Sequence, residues 1–269
     1  MDSEQPRDES LRTLLAAVAA GEVSADEAAG RVADLGIALV GDYARLDLGR
    51  ARRKHIPEIV YAPGKTAAQL VEIAAAFVRS SDAVLCSKAS AEQAQAVRDA
   101  ALGETRYDER SHVLVVTGPA FEPPVGCGAA GIVAAGTGDV PAAEEAAAVC
   151  RLMGVHVHTA YDVGVAGLHR LAAPLQAMLQ AGVAVLVVAA GMEGALPSVV
   201  AGMVDVPVIG LPTATGYGLG GRGEAALLGM LQTCSPGLTV VNIDNGVGAG
   251  ATAALIARRA GAPTRGGAQ

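Results

Sequence analysis

The sequence predicts an α/β protein in two parts, a C-terminal three-layer domain built on a parallel sheet and a smaller N-terminal α/β domain before it. Three observations carry this reading. From about residue 131 onward, short Val/Ile/Leu-rich runs alternate with Ala-rich helical stretches; strands that are apolar throughout, each followed by a helix, describe a parallel sheet covered on both faces. Of the 269 residues 51% are hydrophobic and 17% charged, which allows a large core in one or two domains. Aromatic residues make up only 3%, with no Trp, so packing must rely on small side chains in closely approaching layers.

Taken in order, residues 1 to about 38 read as two amphipathic helices, over 8–20 and, after a turn at Gly21 and a capping Ser24, over 25–35. A small α/β unit follows, with strands at 57–61 and 83–86 and helices at 67–79 and 89–102. The polar segment 103–111, with Glu104, Arg106, Asp108, Glu109 and Arg110, is a composition shift that places a domain boundary near 110. The N-terminal domain is thus expected over 1–110 and the C-terminal domain over 111–260. In the latter the pattern gives strands at 131–135, 155–158, 183–188, 206–210 and 238–242, and helices at 141–153, 166–181, 194–203, 222–232 and 247–260. Ligands of such a sheet sit at the carboxyl ends of its strands. The Gly-rich tail 261–269 reads as flexible, and no fixed-period repeat suggests a solenoid or propeller.

A net charge of -7 argues against a nucleic-acid partner, which needs a clustered basic surface. The one dense basic run (Arg50, Arg52, Arg53, Lys54, His55) reads as a phosphate-binding segment or a solvated surface stretch. The acidic N-terminal stretch does not resemble a signal peptide, and apolar runs such as 182–190 are far shorter than the roughly 20 residues of a membrane helix; a cytoplasmic protein without a membrane span is expected. The four cysteines, Cys86, Cys127, Cys150 and Cys234, form no CxxC pair and are expected as free thiols, without a metal site.

The segments after the strands hold most of the unusual polar residues. Gly136, Thr137, Gly138 and Asp139 open a helix and suit an anion cradle, with Asp139 equally a helix cap. Asp162 with the later His169 and Arg170 offers a proton-transfer group and a planar fork for phosphate or carboxylate; a surface or capping role is the plainer reading. Gly191, Met192 and Glu193 form a turn after a very apolar strand, where Glu193 is either an acid favoured by the helix dipole or a general base. Gly216, Gly218 and Gly221 match GxGxxG, with Asp244 at the end of the next strand. That pattern also fits a dinucleotide fingerprint, but it falls in the last βαβ unit, so a flexible loop is the better reading. Cys234, in the turn Thr233, Cys234, Ser235, Pro236, Gly237, is the thiol with the setting of a reactive one.

Together these segments resemble a known family. The run AAGMEGALPSVVAGMVDVPVIGLPT at 189–213, the GTGD at 136–139 and the His-Arg at 169–170 are similar to ligand segments of the carboxylase PurE. However, Ala195 stands where PurE has a His before Leu-Pro, and PurE has no counterpart of the cysteine. YDVGVAGLHR, AGMEGALPS and a cysteine shortly before VVNIDNG instead resemble the LarB family over roughly 113–255, and PEIVYAPGKT at 57–66 is more loosely similar to its N-terminal domain. Gly138 departs from the GTSD usual in the family.

The resemblance implies a PurE-type fold and an enzyme that carboxylates nicotinic acid adenine dinucleotide at ring C5 and cleaves its phosphoanhydride. The products are pyridinium-3,5-biscarboxylic acid mononucleotide, a precursor of the nickel-pincer cofactor of lactate racemase, and AMP. It assigns Cys234 as nucleophile and Glu193 as base or water-orienting group. Thr137, Gly138, Asp139, Asp162, His169, Arg170, Gly191 and Met192 would bind the mononucleotide half, and Asn242, Asp244 and Asn245 would shape the ring pocket. CO2 or bicarbonate is the co-substrate, no organic cofactor is implied, Mg2+ has room to assist the phosphates, and a large homo-oligomer, an octamer by analogy with PurE, is expected. Three other readings stay open: an aminoimidazole ribonucleotide carboxylase of the PurE type, a nicotinamide-dependent dehydrogenase, and a non-catalytic nucleotide-binding module.

Overall fold

The structure is a computed structural model that describes residues 6–28, 37–47, 49–50, 54–79, 83–119 and 121–261. It falls into two compact units, one of residues 1–107 with 114–121, the other of residues 108–113 with 122–269. The polar segment near 110 is therefore interleaved between the units.

The first unit begins with α1 (Pro6–Ala19). Residues 25–28 are helical, and Ser24 Oγ accepts from Glu27 N at 3.1 Å as the expected cap; the rest of the second expected helix lies outside the described residues. An antiparallel hairpin of β1 (Ile37–Val40) and β2 (Ala44–Asp47) follows. A four-stranded sheet of β3 (Glu58–Tyr61), β4 (Ala83–Ser87), β5 (Glu104–Asp108) and β6 (Val113–Thr117) has the order β3-β4-β6-β5. β3 and β4 are parallel, joined through α2 (Ala67–Arg79), while β6 runs antiparallel to β4. α3 (Ala91–Asp99) starts from a reciprocal capping box between Ser90 and Gln93. Leu70, Ile73, Ala74 and Phe77 of α2 form the core with Val40, Leu46, Val84 and Leu114.

The hairpin and β5 and β6 are absent from the sequence reading. The polar segment 103–111 includes an edge strand: Glu104, Arg106 and Asp108 face solvent while Thr105 and Tyr107 turn inward, and Tyr107 Oη donates to Ala89 O at 3.0 Å. Outward charges are how edge strands resist pairing with other chains, so polarity here marks an edge. Of the basic run, Arg50 is engaged by Glu58 at 2.8 Å, Lys54 and His55 are exposed, and Arg52 and Arg53 lie outside the described residues.

The second unit is a five-stranded parallel sheet of β7 (Ala129–Ala134), β8 (His156–Ala160), β9 (Leu186–Ala190), β10 (Val208–Pro212) and β11 (Leu238–Val240), in the order β11-β10-β9-β7-β8. The connecting helices are α4 (Val140–Leu152), α5 (His169–Gln180), α6 (Ala195–Ala201) and α7 (Glu224–Leu231), with α8 (Gly246–Gly261) last. Every residue of β9 and β10 is buried, as a strand covered on both faces requires. Leu171, Leu175 and Met178 of α5, Leu196 and Val200 of α6, and Ala226 and Met230 of α7 share one core with Val133, Leu186, Val188 and Val208 of the sheet. On the other face α4 and α8 meet through small residues: a Cβ on Gly250 would lie 2.4 Å from the Ala146 carbonyl oxygen and one on Gly246 2.5 Å from that of Ala142. That close approach accounts for the Ala/Gly-rich, aromatic-poor composition. The result is the three-layer parallel domain expected from the sequence.

Counted in chain order the strands run 2-1-3-4-5. The chain leaves the first strand toward one side and later returns to its other side, so the loops after β7 and β9 diverge and open a crevice at the carboxyl edge. Residues 262–269, the expected flexible tail, lie outside the described residues. Among the described residues no helix is long and apolar enough to cross a membrane.

Candidate active site

The segments after all five strands of the second unit meet at this carboxyl edge. After β7, residues Thr137–Asp139 form a short 3-10 turn leading into α4. Thr137 and Gly138 are exposed there, whereas Asp139 is only 4% exposed. One Asp139 oxygen accepts from Gly136 N at 2.8 Å and the other from the buried Thr213 hydroxyl at 2.6 Å. The carboxylate thus ties the loop after β7 to the loop after β10, and hydrogen bonds to an ionised acceptor are the strong kind. Asp139 stands at the N-cap position of α4, but its side chain makes no capping bond to that helix and holds the two loops instead.

The loop after β9 is built on Gly191, Met192 and Glu193. A Cβ on Gly191 would fall 2.0 Å from the Thr215 carbonyl oxygen, so only glycine lets this loop approach its neighbour. Met192 is left-handed at φ 52 and donates its N–H to Thr215 O at 2.8 Å. Met192 and Glu193 are exposed at the crevice. After β11, Asp244, also left-handed at φ 53, accepts from Ala214 N at 3.0 Å and donates its own N–H to Pro212 O at 2.9 Å. Asn245 Oδ1 accepts from Gly248 N at 2.8 Å and caps α8, while Asn242 binds the next amide, Ile243 N, at 2.9 Å. Asp244 and Asn245 therefore shape the loop through main-chain bonds.

After β8, Val163 N donates to Ala134 O at 3.2 Å, which brings the Asp162 loop beside that of β7. Arg170 meets Asp162 at 2.7 Å, both side chains being partly exposed at 39% and 57%. An exposed pair of this kind is worth little to stability, so the fork is available for an anion. His169, the first residue of α5, is exposed. Behind them the Tyr161 hydroxyl donates to Glu144 at 2.7 Å; burial, then the Glu144 contact, push the phenol above its ordinary range.

Cys234 is placed elsewhere. Among the four cysteines it is the exposed one, in line with a reactive setting, and Cys86 and Cys150 are pushed up to about 12 by burial. But it follows α7 and precedes β11, where Leu238 pairs with Val208 at the start of β10. Its neighbour Ser235 lies against Gly202, just past the end of α6. Cys234 therefore belongs to the amino edge of the sheet. The lengths of α6 and of β10 put it roughly 10–16 Å from the carboxyl-edge loops of its own chain.

The sequence reading gave no role to Thr213 and Thr215. The signal was present as two threonines directly after Leu-Pro at a strand end, where ligand loops begin. Among the described residues no group of three or more His, Cys, Asp or Glu side chains is placed to hold a metal ion.

Two domain families match the chain in order: the LarB/PurE-like N-terminal domain over residues 37–118 and AIR carboxylase over residues 129–264. The chain belongs to the LarB family. Its second unit is the PurE-like domain, the domain of a carboxylase, and carries the crevice described above. The LarB-family chain is also 40% identical over 252 residues to the uncharacterized protein MJ0165 of Methanocaldococcus jannaschii, covering 92% of this chain and 97% of that protein.

Proposed function

We propose that the protein converts nicotinic acid adenine dinucleotide and CO2 to pyridinium-3,5-biscarboxylic acid mononucleotide and AMP, with the Cys234 thiol supplied to each crevice by a second copy of the chain. The observation that carries this reading is an exposed thiol in a LarB-family chain whose other three cysteines are buried. A pyridinium C5 is electron-poor and does not attack CO2. Addition of a thiolate at C4 turns the ring into a dihydropyridine whose C5 is an enamine carbon, and that carbon forms the new bond to CO2. Loss of the C5 proton to a base returns the electron pair to the ring and expels the thiolate, so sulfur is regenerated and no oxidant is consumed. Water then splits the phosphoanhydride.

Glu193, exposed at the crevice, is the base for the C5 proton or orients that water. Thr137, the Gly138 backbone, His169 and the Asp162–Arg170 pair bind the phosphate and sugar; Asp139 and Asp244 hold the loops that carry them. Mg2+ would bind through the substrate's own phosphates. Because a chain's own thiol lies at the far edge, the reaction needs a neighbour. Apolar side chains beside the thiol suit one: Leu228 and Leu231 on α7 and Met203 after α6 are 64%, 62% and 56% exposed.

A PurE-type aminoimidazole ribonucleotide carboxylase is the second reading, favoured by the AIR carboxylase match over 129–264 and opposed by Ala195 in place of the PurE histidine. Incubation with the dinucleotide and labelled bicarbonate, followed by mass spectrometry, tests the first. Label in a mononucleotide together with AMP, both lost in Cys234→Ala, is the expected result. Label entering aminoimidazole ribonucleotide instead, in wild type and Cys234→Ala alike, would establish the second.

A further inference from the structure

Thr215 stands at the point where the chain's two halves of the sheet part. Its side chain lies on Gly138: a Cβ there would meet Thr215 Cγ2 at 2.8 Å and Oγ1 at 3.3 Å. On its other side a Cβ on Gly191 would fall 2.8 Å from Thr215 Cβ. Two residues without side chains, one from the loop after β7 and one from the loop after β9, thus make room for one threonine from the loop after β10. The main chain fixes it further, since Thr215 O accepts from Met192 N. Such convergence of three loops on a residue that is itself exposed is what a ligand-facing group requires and a merely solvated threonine does not.

The hydroxyl has a defined polarity. It donates to Gly138 O at 3.0 Å, and a hydroxyl has one proton to give and two lone pairs to offer. With the proton committed, Oγ1 presents acceptor capacity only. A phosphate ester near neutral pH likewise offers mainly acceptors, so Oγ1 and phosphate oxygens do not pair. A sugar hydroxyl does pair with it, because it can donate.

We infer that Thr215 is a substrate-binding residue whose hydroxyl oxygen accepts a hydrogen bond from a ribose hydroxyl of the ribonucleotide in the crevice. The inference rests on the reading that the crevice takes a ribonucleotide, a feature shared by the dinucleotide and by aminoimidazole ribonucleotide. It also explains Gly138, where a serine would collide with Thr215: in this chain the hydroxyl that serves that corner comes from the opposite loop.

Binding of both nucleotides to the full-length protein, measured by calorimetry, tests this. Thr215→Val keeps the side-chain shape and should bind the nucleotide that wild type prefers about tenfold more weakly, with an unchanged melting temperature. Wild type should discriminate against either the 2′-deoxy or the 3′-deoxy form of that nucleotide's ribose, and Thr215→Val should lose the discrimination. Gly138→Ser alone should bind more weakly than Thr215→Val, whereas Gly138→Ser combined with Thr215→Ala, which moves the hydroxyl across the gap, should recover to within about threefold of wild type. Equal weakening of the ribo and deoxy forms by Thr215→Val, or a double variant no better than Gly138→Ser, would overturn the role of Thr215. Binding of aminoimidazole ribonucleotide alone would remove the pyridinium reading and leave Thr215 to be judged on that ligand; binding of neither would remove both.

Discussion

Asp139→Ala is the perturbation with the largest consequence that the structure defines. The carboxylate is 4% exposed and accepts from the Thr213 hydroxyl at 2.6 Å and from Gly136 N at 2.8 Å. Truncation leaves the hydroxyl of Thr213, itself 2% exposed, and a main-chain N–H without acceptors. A hydrogen bond to a charged group contributes about 1.5–3 kcal/mol, so losing both should destabilise the second unit by about 3–6 kcal/mol. For a unit of this size each kcal/mol lowers the melting temperature by roughly 2–4 °C, giving a drop on the order of 10 °C by circular dichroism. Asp139→Asn keeps one acceptor oxygen and turns a charged bond into a neutral one, at a cost of about 1–2 kcal/mol. Hydrogen exchange localises the effect: peptides spanning Gly136–Asp139 and Thr213–Thr215 should exchange faster in Asp139→Ala, and those in the first unit should not. A loss below about 0.5 kcal/mol, the range of an ordinary surface change, would refute the claim that this carboxylate holds the two loops together.

Three further outcomes follow from the same geometry. At pH 8 an alkylating reagent should modify Cys234 quickly in the native protein, with the dinucleotide protecting it, while Cys86 and Cys150, pushed up to about 12 by burial, hold only about one part in ten thousand as thiolate; rapid native labelling of either buried thiol by peptide mapping would contradict this. Cys234→Ala and Glu193→Gln subunits, each inactive alone, should regain about a quarter of wild-type turnover when co-assembled one to one, because half of the crevices carry Glu193 and half of their neighbours carry the thiol; a mixture as dead as its components would exclude the shared site. In the first unit burial raises the Glu58 carboxyl pKa, opposed by Arg50 at 2.8 Å. Removing that cation in Arg50→Ala raises it further, so the folded state then takes up a proton more readily than the unfolded state, and the variant's stability deficit, read from urea titrations, should shrink as pH falls from 7 through the raised value. A deficit constant across that range would show that Arg50 does not act through Glu58.

The second unit was largely legible in the sequence because strands buried on both faces must be apolar throughout and the helices between them must be Ala-rich to pack closely. Boundaries slipped where apolar residues continue past the ladder. The run expected as a strand at 183–188 pairs as Leu186–Ala190, since Ala189 and Ala190 still face Leu211 and Pro212 across the sheet, while Val183 and Val185 are buried on the way in. The helix expected from 166 begins at His169, because Val165–Gly167 first turn in the tighter 3-10 form. β5 escaped notice because three of its five residues are charged, and the short hairpin of β1 and β2 offers only four residues a strand, too few for periodicity to declare itself. The residue types marked loops that the structure gathers at the carboxyl edge, but the contacts among them depend on partners distant in the chain. Asp139 and Thr213 are 74 residues apart and Thr215 and Gly138 are 77 apart, and no local pattern encodes such pairs.

The placement of Cys234 turns on a rule the sequence does contain. In a parallel sheet every strand-to-helix loop lies at the carboxyl edge and every helix-to-strand loop at the amino edge. Cys234 is eight positions from Asn242 in the chain, and proximity in sequence groups them; β11 (Leu238–Val240) passes between and carries them to opposite edges. If a neighbour supplies the thiol, as proposed, the amino edge of one copy must meet the carboxyl edge of another. Two copies related by a two-fold axis could exchange thiols reciprocally, and a head-to-tail ring could pass them from one subunit to the next. Under the proposed mechanism, covalent capture would tie chemistry to assembly in this chain. A subunit isolated by charges placed at Leu228 and Leu231 should keep its fold and its affinity for nucleotide, since the crevice loops are tied to one another within one chain, yet lose turnover altogether. Full turnover by such a monomer would require the thiol to act across its own sheet, which the topology forbids.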